Sequence, residues 1–319
     1  MKYLVTGCAG FIGSNLTDRL LSEGFSVIGI DNFSTGQRKF LNKALQNKNF
    51  QFHQIDITDY EDLLSVITKD IDTIFHMAAN ADVRFGTNHP RKDLEQNTIA
   101  TFNVLEAMRI SDIKKIVFAS TGSVYGETEV IPTPEDAPFP IQTSLYAASK
   151  SAGEGLISAY CEGFDMQAWV FRFVSILGER YAHGHVFDFY KKLKENPNKL
   201  HVLGNGKQKK SYLYIEDCLN AIMIAIEKSN ERINIFNLGV DEYCEVNDSI
   251  GWICEKLNLR PSLEYSGGER GWIGDNPFIL LDTKKIKSLG WEPKVKINDG
   301  VTKTVQYLQE NEWLFKVRE

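Results

Sequence analysis

The sequence lacks the features expected of a nucleic-acid-binding or membrane protein. Lysine and arginine number 36 against 42 aspartates and glutamates, and the resulting charge of −6 gives no basic surplus for binding nucleic acid. No apolar run approaches the ~20 residues that span a bilayer. Met1-Lys2 leads straight into apolar residues without a signal-peptide pattern. We therefore predict a cytoplasmic protein whose partners are small metabolites rather than nucleic acid or membrane.

Cysteine and histidine are few and scattered. The five cysteines are odd in number and form no Cys-x-x-Cys pair, which favours buried free thiols over disulfides or zinc. The six histidines also lack metal-type spacing, with His183-Gly-His185 the nearest approach. No metal site is predicted.

The start of the chain has a strand, a glycine-rich turn and a helical pattern in succession. Residues 2–6, Lys-Tyr-Leu-Val-Thr, indicate a buried strand, and the turn that follows contains Gly7, Gly10, Phe11, Ile12 and Gly13. Glycines allow a sharp backbone turn and let a pyrophosphate approach free N–H groups at the start of a helix, where the helix dipole favours negative charge. This pattern predicts a dinucleotide site.

A second apolar strand ends in Asp31, at the position where an acidic side chain accepts hydrogen bonds from the adenosine ribose. Its charge would repel a 2′-phosphate, so NAD is favoured over NADP. The neighbouring Arg38-Lys39 pair leaves open the alternative of phosphate ligands, although solvated helix charges explain it as well.

Further strands alternate with helical patterns: residues 50–55 end at Asp56, residues 72–76 precede Met-Ala-Ala79, and residues 115–119 precede Ser120-Thr121. This alternation predicts an α/β fold of the Rossmann type, with a doubly wound parallel sheet that binds ligands at the carboxyl ends of its strands. At 319 residues the chain also has room for a smaller second domain.

Tyr146 and Lys150 stand four residues apart in a stretch without proline. On a helix these positions share one face, so the phenol and the ammonium can point into one cleft. A cation beside the tyrosine oxygen would favour the phenolate and bring its pKa toward neutrality. Taken alone the spacing also occurs by chance, but the hydroxyls of Ser120 and Thr121 at a strand end suggest a catalytic cluster.

The assembly resembles the extended short-chain dehydrogenase/reductase family, in its NAD-dependent nucleotide-sugar epimerase/dehydratase branch. The resemblance covers nearly the whole chain. It rests on Thr6-Gly-x-x-Gly-Phe-Ile-Gly13, Asp31-Asn32, Asp56, His76-x-Ala-Ala79, Asn97, Ser120-Thr121, Val124-Tyr-Gly126, Tyr146-x-x-x-Lys150, Arg172, Gly204-Asn-Gly206, Asp217 and Leu289-Gly-Trp-x-Pro293.

The resemblance implies roles for individual residues. Thr121, Tyr146 and Lys150 would be catalytic, with Tyr146 taking the proton from a sugar hydroxyl. NAD would contact the glycine turn and the set Asp31, Asn32, Asp56, Ile57, Ala78, Ala79, Asn97, Ser120, Tyr146 and Lys150. The nucleotide-diphosphosugar would contact Val83, Arg84, Thr121, Ser175, Lys210, Arg270 and Asp275.

The chain departs from the family pattern at several positions, and these departures reduce the number of reactions it could catalyse. Dehydratases of this branch carry an Asp-Glu pair after the threonine, where this chain has Gly122 and Ser123. Ser175, Lys210 and Glu179 stand where family members usually have Asn, Arg and Pro, and two extra residues separate Arg270 from Gly274 and Asp275. A lysine supplies charge at a diphosphate without the bidentate geometry of arginine.

Three functions remain open. The first is an NAD-dependent 4-epimerase acting through a transient 4-keto sugar, in polysaccharide biosynthesis. The second is an NAD-dependent 4-dehydrogenase that releases the keto sugar, for example from a GDP-heptose or a GDP- or UDP-hexose, and the third is a non-catalytic NAD-binding scaffold. Residues 1–172 would form the NAD-binding domain and 173–319 mainly the nucleotide-sugar domain, interleaved with the first. The resemblance also implies a homodimer through helices near residues 97–108 and 150–162.

Overall fold

The computed structural model describes residues 1–138, 141–271, 275–276 and 278–317, with the side chain of Arg84 excepted. The strands are β1 Lys2–Thr6, β2 Ser26–Asp31, β3 Phe50–Gln54, β4 Thr73–His76, β5 Lys115–Thr121, β6 Gln167–Phe173, β7 Ser175–Leu177, β8 Lys199–Val202, β9 Lys209–Lys210, β10 Tyr212–Tyr214, β11 Ile233–Leu238, β12 Cys244–Glu245, β13 Ser262–Tyr265 and β14 Phe278–Ile279.

The α-helices are α1 Phe11–Ser22, α2 Tyr60–Val66, α3 Val83–Asn88, α4 Pro90–Asp93, α5 Ala100–Ile110, α6 Leu145–Phe164, α7 His185–Glu195, α8 Ile215–Lys228, α9 Val246–Leu257, α10 Lys284–Lys287 and α11 Ile297–Glu310. A π-helical turn, Leu94–Ile99, lies between α4 and α5. Short 3₁₀ turns cover Arg38–Leu41, Ala44–Gln46, Gly122–Tyr125 and Glu312–Lys316. Within the described ranges, none of these helices is long and apolar enough to span a membrane.

Two compact units interleave along the chain. The first consists of Met1–Val124, Ser144–Arg172 and Ala225–Phe236. The second consists of Tyr125–Thr143, Phe173–Ile224 and Asn237–Glu319. The chain returns to the first unit at 225–236 because β11 joins its sheet as an edge strand.

The first unit is built on a seven-stranded sheet in the order β11-β6-β5-β4-β1-β2-β3. The pairs β1–β2, β1–β4, β2–β3 and β4–β5 are parallel, which places the carboxyl ends of these strands at one edge. The order reverses direction between β1 and β4, and ligands bind at such switch points in doubly wound sheets. The predicted α/β Rossmann-type fold is confirmed.

The core of the first unit explains why the strands are nearly continuous apolar runs. A parallel sheet is covered on both faces, so its strands bury most of their side chains. Leu4, Ile74 and Ile116 come from neighbouring strands and are fully buried with Val104 of α5 and Ile157 of α6. The two helices therefore pack against the sheet through apolar side chains.

The second unit combines sheets of two or three strands with α-helices. Strands β7 and β10 pair in parallel, β9 lies between β12 and β14, and β8 pairs with β13. At the start of α8, the Asp217 carboxylate accepts the backbone N–H groups of Lys294 and Val295, each at 2.9 Å. The Trp291 indole donates to the Asp217 carbonyl at 3.0 Å. Asp217 and the Leu-Gly-Trp segment therefore have a structural role.

Candidate active site

The glycine turn connects β1 to α1, and its backbone leaves no room for a side chain at Gly7 or Gly13. Gly7 has φ of +68°, and a Cβ there would lie 2.8 Å from the backbone of Ala78. A Cβ on Gly13 would lie 2.1 Å from the Gly7 carbonyl oxygen. Gly10 caps α1 without any side-chain hydrogen bond, so the first N–H groups of that helix are not capped by a side chain. Phe11, Ile12 and Gly13 form the first turn of α1.

Asp31 is the last residue of β2 and is buried beside this turn. Its Oδ2 accepts the N–H of Ala9 at 2.9 Å, and its Oδ1 accepts the N–H of Phe33 at 2.8 Å. Burial raises the pKa of the carboxyl, and these two backbone hydrogen bonds act in the opposite direction. A Cβ on Gly36 would lie 2.6 Å from Oδ1, so the loop can close over the carboxylate only with glycine at that position.

A pocket in the first unit opens along the carboxyl ends of β1, β2 and β4. It is lined by Gly7, Gly10, Ile30, Asp31, Asn32, Ser34, Thr35, Gly36, Ile55, Ile57, Met77, Ala78, Ala79 and Gln96. At its side, Asn32 Nδ2 donates to Asp56 Oδ2 at 2.9 Å. The pKa of Asp56 is lowered, because hydrogen bonds from Thr58 and Asn32 together outweigh the larger single effect of burial.

The residues present fit a dinucleotide. The glycine cradle leaves the backbone accessible at a helix start, and the buried Asp31 carboxylate faces the same pocket. Arg38 and Lys39, the possible 2′-phosphate ligands, are exposed in a 3₁₀ turn and do not line this pocket. The pocket therefore favours NAD over NADP.

Helix α6 carries the predicted Tyr146 and Lys150. The Ser144 hydroxyl caps its N-terminus by accepting the N–H of Ala147 at 3.1 Å, which sets the tyrosine in the first turn. Tyr146 hydrogen-bonds the side chain of Thr121, the last residue of β5. Lys150 is buried, and its Nζ donates to the Ala119 carbonyl at 2.8 Å. The structure thus brings Thr121, Tyr146 and Lys150 together.

The electrostatics of this cluster correct one expectation. Burial raises the pKa of Tyr146 to about 12, with the Thr121 hydrogen bond lowering it and Asp93 raising it further. Burial also lowers the pKa of Lys150 to about 7, against the raising effects of Glu154 and Asp93. We expected the Lys150 ammonium to lower the pKa of Tyr146. In this structure the ammonium donates to the Ala119 carbonyl, and burial raises the Tyr146 pKa instead.

The chain matches the NAD-dependent epimerase/dehydratase family over residues 3–239. The chain belongs to this family. Its relatives include the UDP-glucuronate 4-epimerase of Thermodesulfobacterium geofontis, 32% identical over 98% of each chain. Among solved structures, a UDP-galactose 4-epimerase is 36% identical with a TM-score of 0.89, over 98% of this chain and 100% of the other. The NAD complex of the Thermus thermophilus UDP-glucose 4-epimerase is 30% identical with a TM-score of 0.85, over 97% and 99%.

These findings confirm the family resemblance, the identification as an enzyme and the NAD dependence predicted from the sequence.

A buried polar network lies beside Thr121, Tyr146 and Lys150, and it was not predicted from the sequence. Asn97, in the π-helical turn, donates from Nδ2 to Ser149 Oγ at 2.9 Å and to the Asn80 carbonyl at 3.2 Å. Its Oδ1 accepts the Asn80 N–H at 2.8 Å. Ser149 donates in turn to the Tyr146 carbonyl at 2.8 Å. Asn97 thereby connects the loop after β4 to α6. In the sequence, only the polar character of Asn80 and Ser149 could have indicated this network.

In the second unit, the predicted phosphate-binding cations lie in ion pairs. Lys210 Nζ is 2.7 Å from Oδ1 of Asp275, which is buried and also accepts the Gly271 N–H. Arg270 pairs with Glu127 at 2.7 Å, with both side chains nearly half exposed. These carboxylates occupy the cations that we expected at a diphosphate, so a diphosphate would have to compete with them.

Ser175 and Val83 are two further residues that we predicted to contact the substrate. Ser175 starts β7 and is exposed, which leaves its hydroxyl accessible. Val83 begins α3 and is partly buried. The side chain of Arg84 lies outside the described residues, as does Gly274 between Arg270 and Asp275.

Proposed function

We propose that the protein is an NAD-dependent 4-epimerase of a nucleotide-diphosphosugar, acting through a transient 4-keto sugar. The observation that carries the proposal is the cluster of Thr121, Tyr146 and Lys150 at the end of β5, followed by Gly122 and Ser123. Loss of water from a sugar needs a further acid and base, and neither residue supplies one. Oxidation and reduction at C4 need only the cluster that is present.

The side chains of the cluster have complementary tasks. Burial raises the pKa of Tyr146, so the phenol carries its proton at neutral pH and can donate it to a 4-keto oxygen. For the opposite direction Tyr146 must first release its own proton. The phenolate, which the hydrogen bond from Thr121 stabilises, then takes the proton of the C4 hydroxyl and becomes a phenol again. Lys150 lies in the same buried region and carries positive charge in its protonated form, although burial lowers its pKa to about 7.

The pocket of the first unit would hold the NAD. Backbone N–H groups of the glycine turn would bind its pyrophosphate, Asp31 its adenosine ribose, and Asp56 and Ile57 its adenine. Ala78 and Ala79 would line it closely because their side chains are small. Ser120 and Asn97 would support the nicotinamide end. Bound there, NAD would supply the hydride acceptor and donor for C4 of the sugar.

We propose a UDP-linked hexose as the substrate, because the compared proteins are named as UDP-sugar 4-epimerases. Residues 173–319 would mainly hold this substrate, with Arg270 and Lys210 at the diphosphate and Asp275 at a ribose hydroxyl. Ser175, Val83 and Arg84 would complete the contacts. We place the enzyme in the cytoplasm, in the supply of sugars for polysaccharides.

The proposal is tested by incubating the purified protein with UDP- and GDP-linked hexoses and heptoses. The sugars are resolved by NMR, and reduced nicotinamide is followed by its absorbance. We expect a C4 epimer without accumulating NADH. Stoichiometric NADH with a released 4-keto sugar would instead show a 4-dehydrogenase, and no C4 epimer from any of these sugars would contradict the proposal.

Asp31→Asn should relax the choice between NAD and NADP. The substitution removes the charge that repels a 2′-phosphate and weakens hydrogen bonds to a charged group, each worth about 1.5–3 kcal/mol. The ratio of the NADP and NAD dissociation constants should fall by about 10–10²-fold. Calorimetric titration with both nucleotides measures the ratio, and Asp59→Asn, which alters the N-cap of α2, is the control. An unchanged ratio in Asp31→Asn would show that Asp31 does not contact the ribose.

We also propose a homodimer that buries an apolar surface of the π-helical turn, α5 and α6. Leu94, Ile99, Phe102 and Phe164 each expose between 41% and 52% of their surface. Phe102 and Tyr160 stack edge to face with ring centroids 6.4 Å apart, so the two helices present one continuous patch. Contiguous exposed apolar surface of this kind marks interaction sites.

Phe102→Glu should therefore produce monomers. An unpaired charge buried in the interface costs several kcal/mol, so the dimer dissociation constant should rise by at least about 10²-fold. Analytical ultracentrifugation across a dilution series measures the change. Val130→Glu, at another exposed apolar residue, should leave the mass unchanged. A wild-type protein that sediments as a monomer, or a dimeric Phe102→Glu, would contradict the proposal.

A further inference from the structure

A buried ion pair lies within the first unit, beside the catalytic helix. The Arg172 guanidinium on β6 donates from Nη2 to Glu154 Oε2 at 2.7 Å and from Nε to Oε1 at 3.1 Å. Their side chains are only 2% and 9% exposed. Burying two charges costs desolvation energy that their attraction does not reliably return, so stability alone is a weak explanation for the pair.

Glu154 has a third partner on another strand. Ser120 on β5 is buried and donates its hydroxyl to Glu154 Oε1 at 2.5 Å. Glu154 therefore connects α6, β6 and β5. Both of its oxygens are occupied, and their geometry is fixed by the planar guanidinium.

The neighbours of Ser120 show what this connection holds. The preceding residue, Ala119, accepts the Lys150 ammonium at its carbonyl, at 2.8 Å. The following residue, Thr121, hydrogen-bonds Tyr146. Glu154 thus binds the end of β5, and the residues on either side of Ser120 there are the hydrogen-bond partners of Lys150 and Tyr146. Glu154 also lies one helical turn after Lys150 on α6, so strand and helix are fixed relative to each other at the reacting end.

We propose that Glu154 is a positioning residue for the C4 reaction: held by Arg172, it anchors Ser120 and so fixes the strand end that binds Lys150 and Tyr146. The inference rests on the proposed function, because the reaction is the one assigned to Tyr146. Misplacement of reacting groups by about 1 Å can cost about 10²-fold in rate even when the altered residue does not touch the substrate.

The charge of Glu154 gives a readout that a purely structural role would not affect. The ionisable groups whose charges act on Lys150 are Glu154 and Asp93, whose carboxylates raise its pKa against the lowering by burial. His76 is buried and neutral, since burial and then the Lys150 charge lower its pKa to about 3, and Tyr146 is neutral as well. Arg172 is already paired with Glu154. Removing the Glu154 charge should therefore make Lys150 lose its proton at a lower pH.

Two variants and a control separate positioning from stability. Glu154→Gln removes the charge but keeps the shape, and leaves Arg172 unpaired. Glu154→Met combined with Arg172→Met removes both charges and the acceptor of Ser120, and such apolar replacement of a buried pair is often tolerated. Glu162→Gln, on the same helix, breaks only the exposed pair with Arg232 and serves as the control.

Each protein is measured as purified, for thermal unfolding, bound NAD, kcat and KM, and for the Lys150 pKa by NMR of ¹³C-labelled lysine. Lys150→Met assigns the signal. We expect kcat to fall by about 10–10²-fold in both Glu154 variants, with bound NAD and KM for the UDP-hexose nearly unchanged. The Lys150 pKa should fall in Glu154→Gln, so the high-pH limb of kcat moves to lower pH. Glu162→Gln should match the wild type.

A folded double variant with wild-type kcat would overturn the proposal, because the ion pair would then be only structural. An unchanged Lys150 pKa in Glu154→Gln would overturn it as well. If the wild type epimerises no UDP-hexose, the proposed function fails, whereas an unchanged Lys150 pKa or a wild-type kcat in the folded variants contradicts the positioning role separately.

Discussion

Tyr146→Phe is expected to lower kcat by about 10²–10⁴-fold, the range lost when a general acid/base is removed. Phenylalanine keeps the ring and removes the hydroxyl that hydrogen-bonds Thr121. Because phenylalanine keeps the packing of the ring, the fold and the bound NAD should be retained. The measurement is the rate of C4 epimerisation over a range of pH, with bound NAD quantified on the same samples.

Tyr160→Phe is the matched control for this experiment. Tyr160 stands on the same helix, but its hydroxyl donates to Glu106 at 3.1 Å and does not reach the catalytic cluster. Its loss should leave kcat within about twofold, since a change at a partly exposed hydrogen bond costs only about 1 kcal/mol of stability. Near-normal turnover in Tyr146→Phe would remove Tyr146 from the mechanism.

Gly13→Ala is expected to abolish retention of NAD. A Cβ at this position would lie 2.1 Å from the Gly7 carbonyl oxygen and 2.8 Å from its carbon, so the turn between β1 and α1 must open. Opening it displaces N–H groups that we assign to the pyrophosphate. Losing two hydrogen bonds to a charged group, at about 1.5–3 kcal/mol each, weakens affinity by more than about 10²-fold.

The effect is read as NAD released from the denatured purified protein and as the dissociation constant from calorimetry. Gly251→Ala in α9 is the control, because a Cβ there meets no atom within 4 Å and alanine favours a helix. Full NAD occupancy in Gly13→Ala would show that the pyrophosphate lies elsewhere.

The parts of the fold that were predictable have a local signature. The strand, glycine turn and helix at the start of the chain are consecutive in sequence and in structure. Tyr146 and Lys150 are four residues apart, which is the spacing of one helical face. The position of Asp31 beside the cofactor pocket could be predicted because Asp31 ends an apolar strand. In these cases the position along the chain determines the position in space.

Other features depend on contacts between distant segments. Gly36 matters because a loop folds back over Asp31, and Glu154 matters because it meets two strands at once. The π-helical turn that places Asn97 has no sequence signature comparable to a cap or a glycine turn. The pKa values of Tyr146 and Lys150 are set mainly by burial, which spacing along a helix does not reveal.

The pairing of Lys210 with Asp275 was also beyond the sequence. Both residues were predicted to contact the substrate, but their oppositely charged groups lie 2.7 Å apart. A buried carboxylate needs a partner, and lysine is the cation that the fold brings to it. Residue type alone therefore does not predict which cations of the second unit bind a diphosphate, because the diphosphate competes with the carboxylates that already pair with them.

The most direct test of the account uses UDP-glucose that carries deuterium on C4. Hydride removal and return at one carbon keeps that deuterium on C4 of the product, because the hydride never exchanges with water. We predict UDP-galactose that retains the label on C4, detected by NMR and mass spectrometry, with no accumulation of reduced nicotinamide. A product that has lost the label to solvent, or a 4-keto sugar released with stoichiometric reduced nicotinamide, would contradict 4-epimerisation.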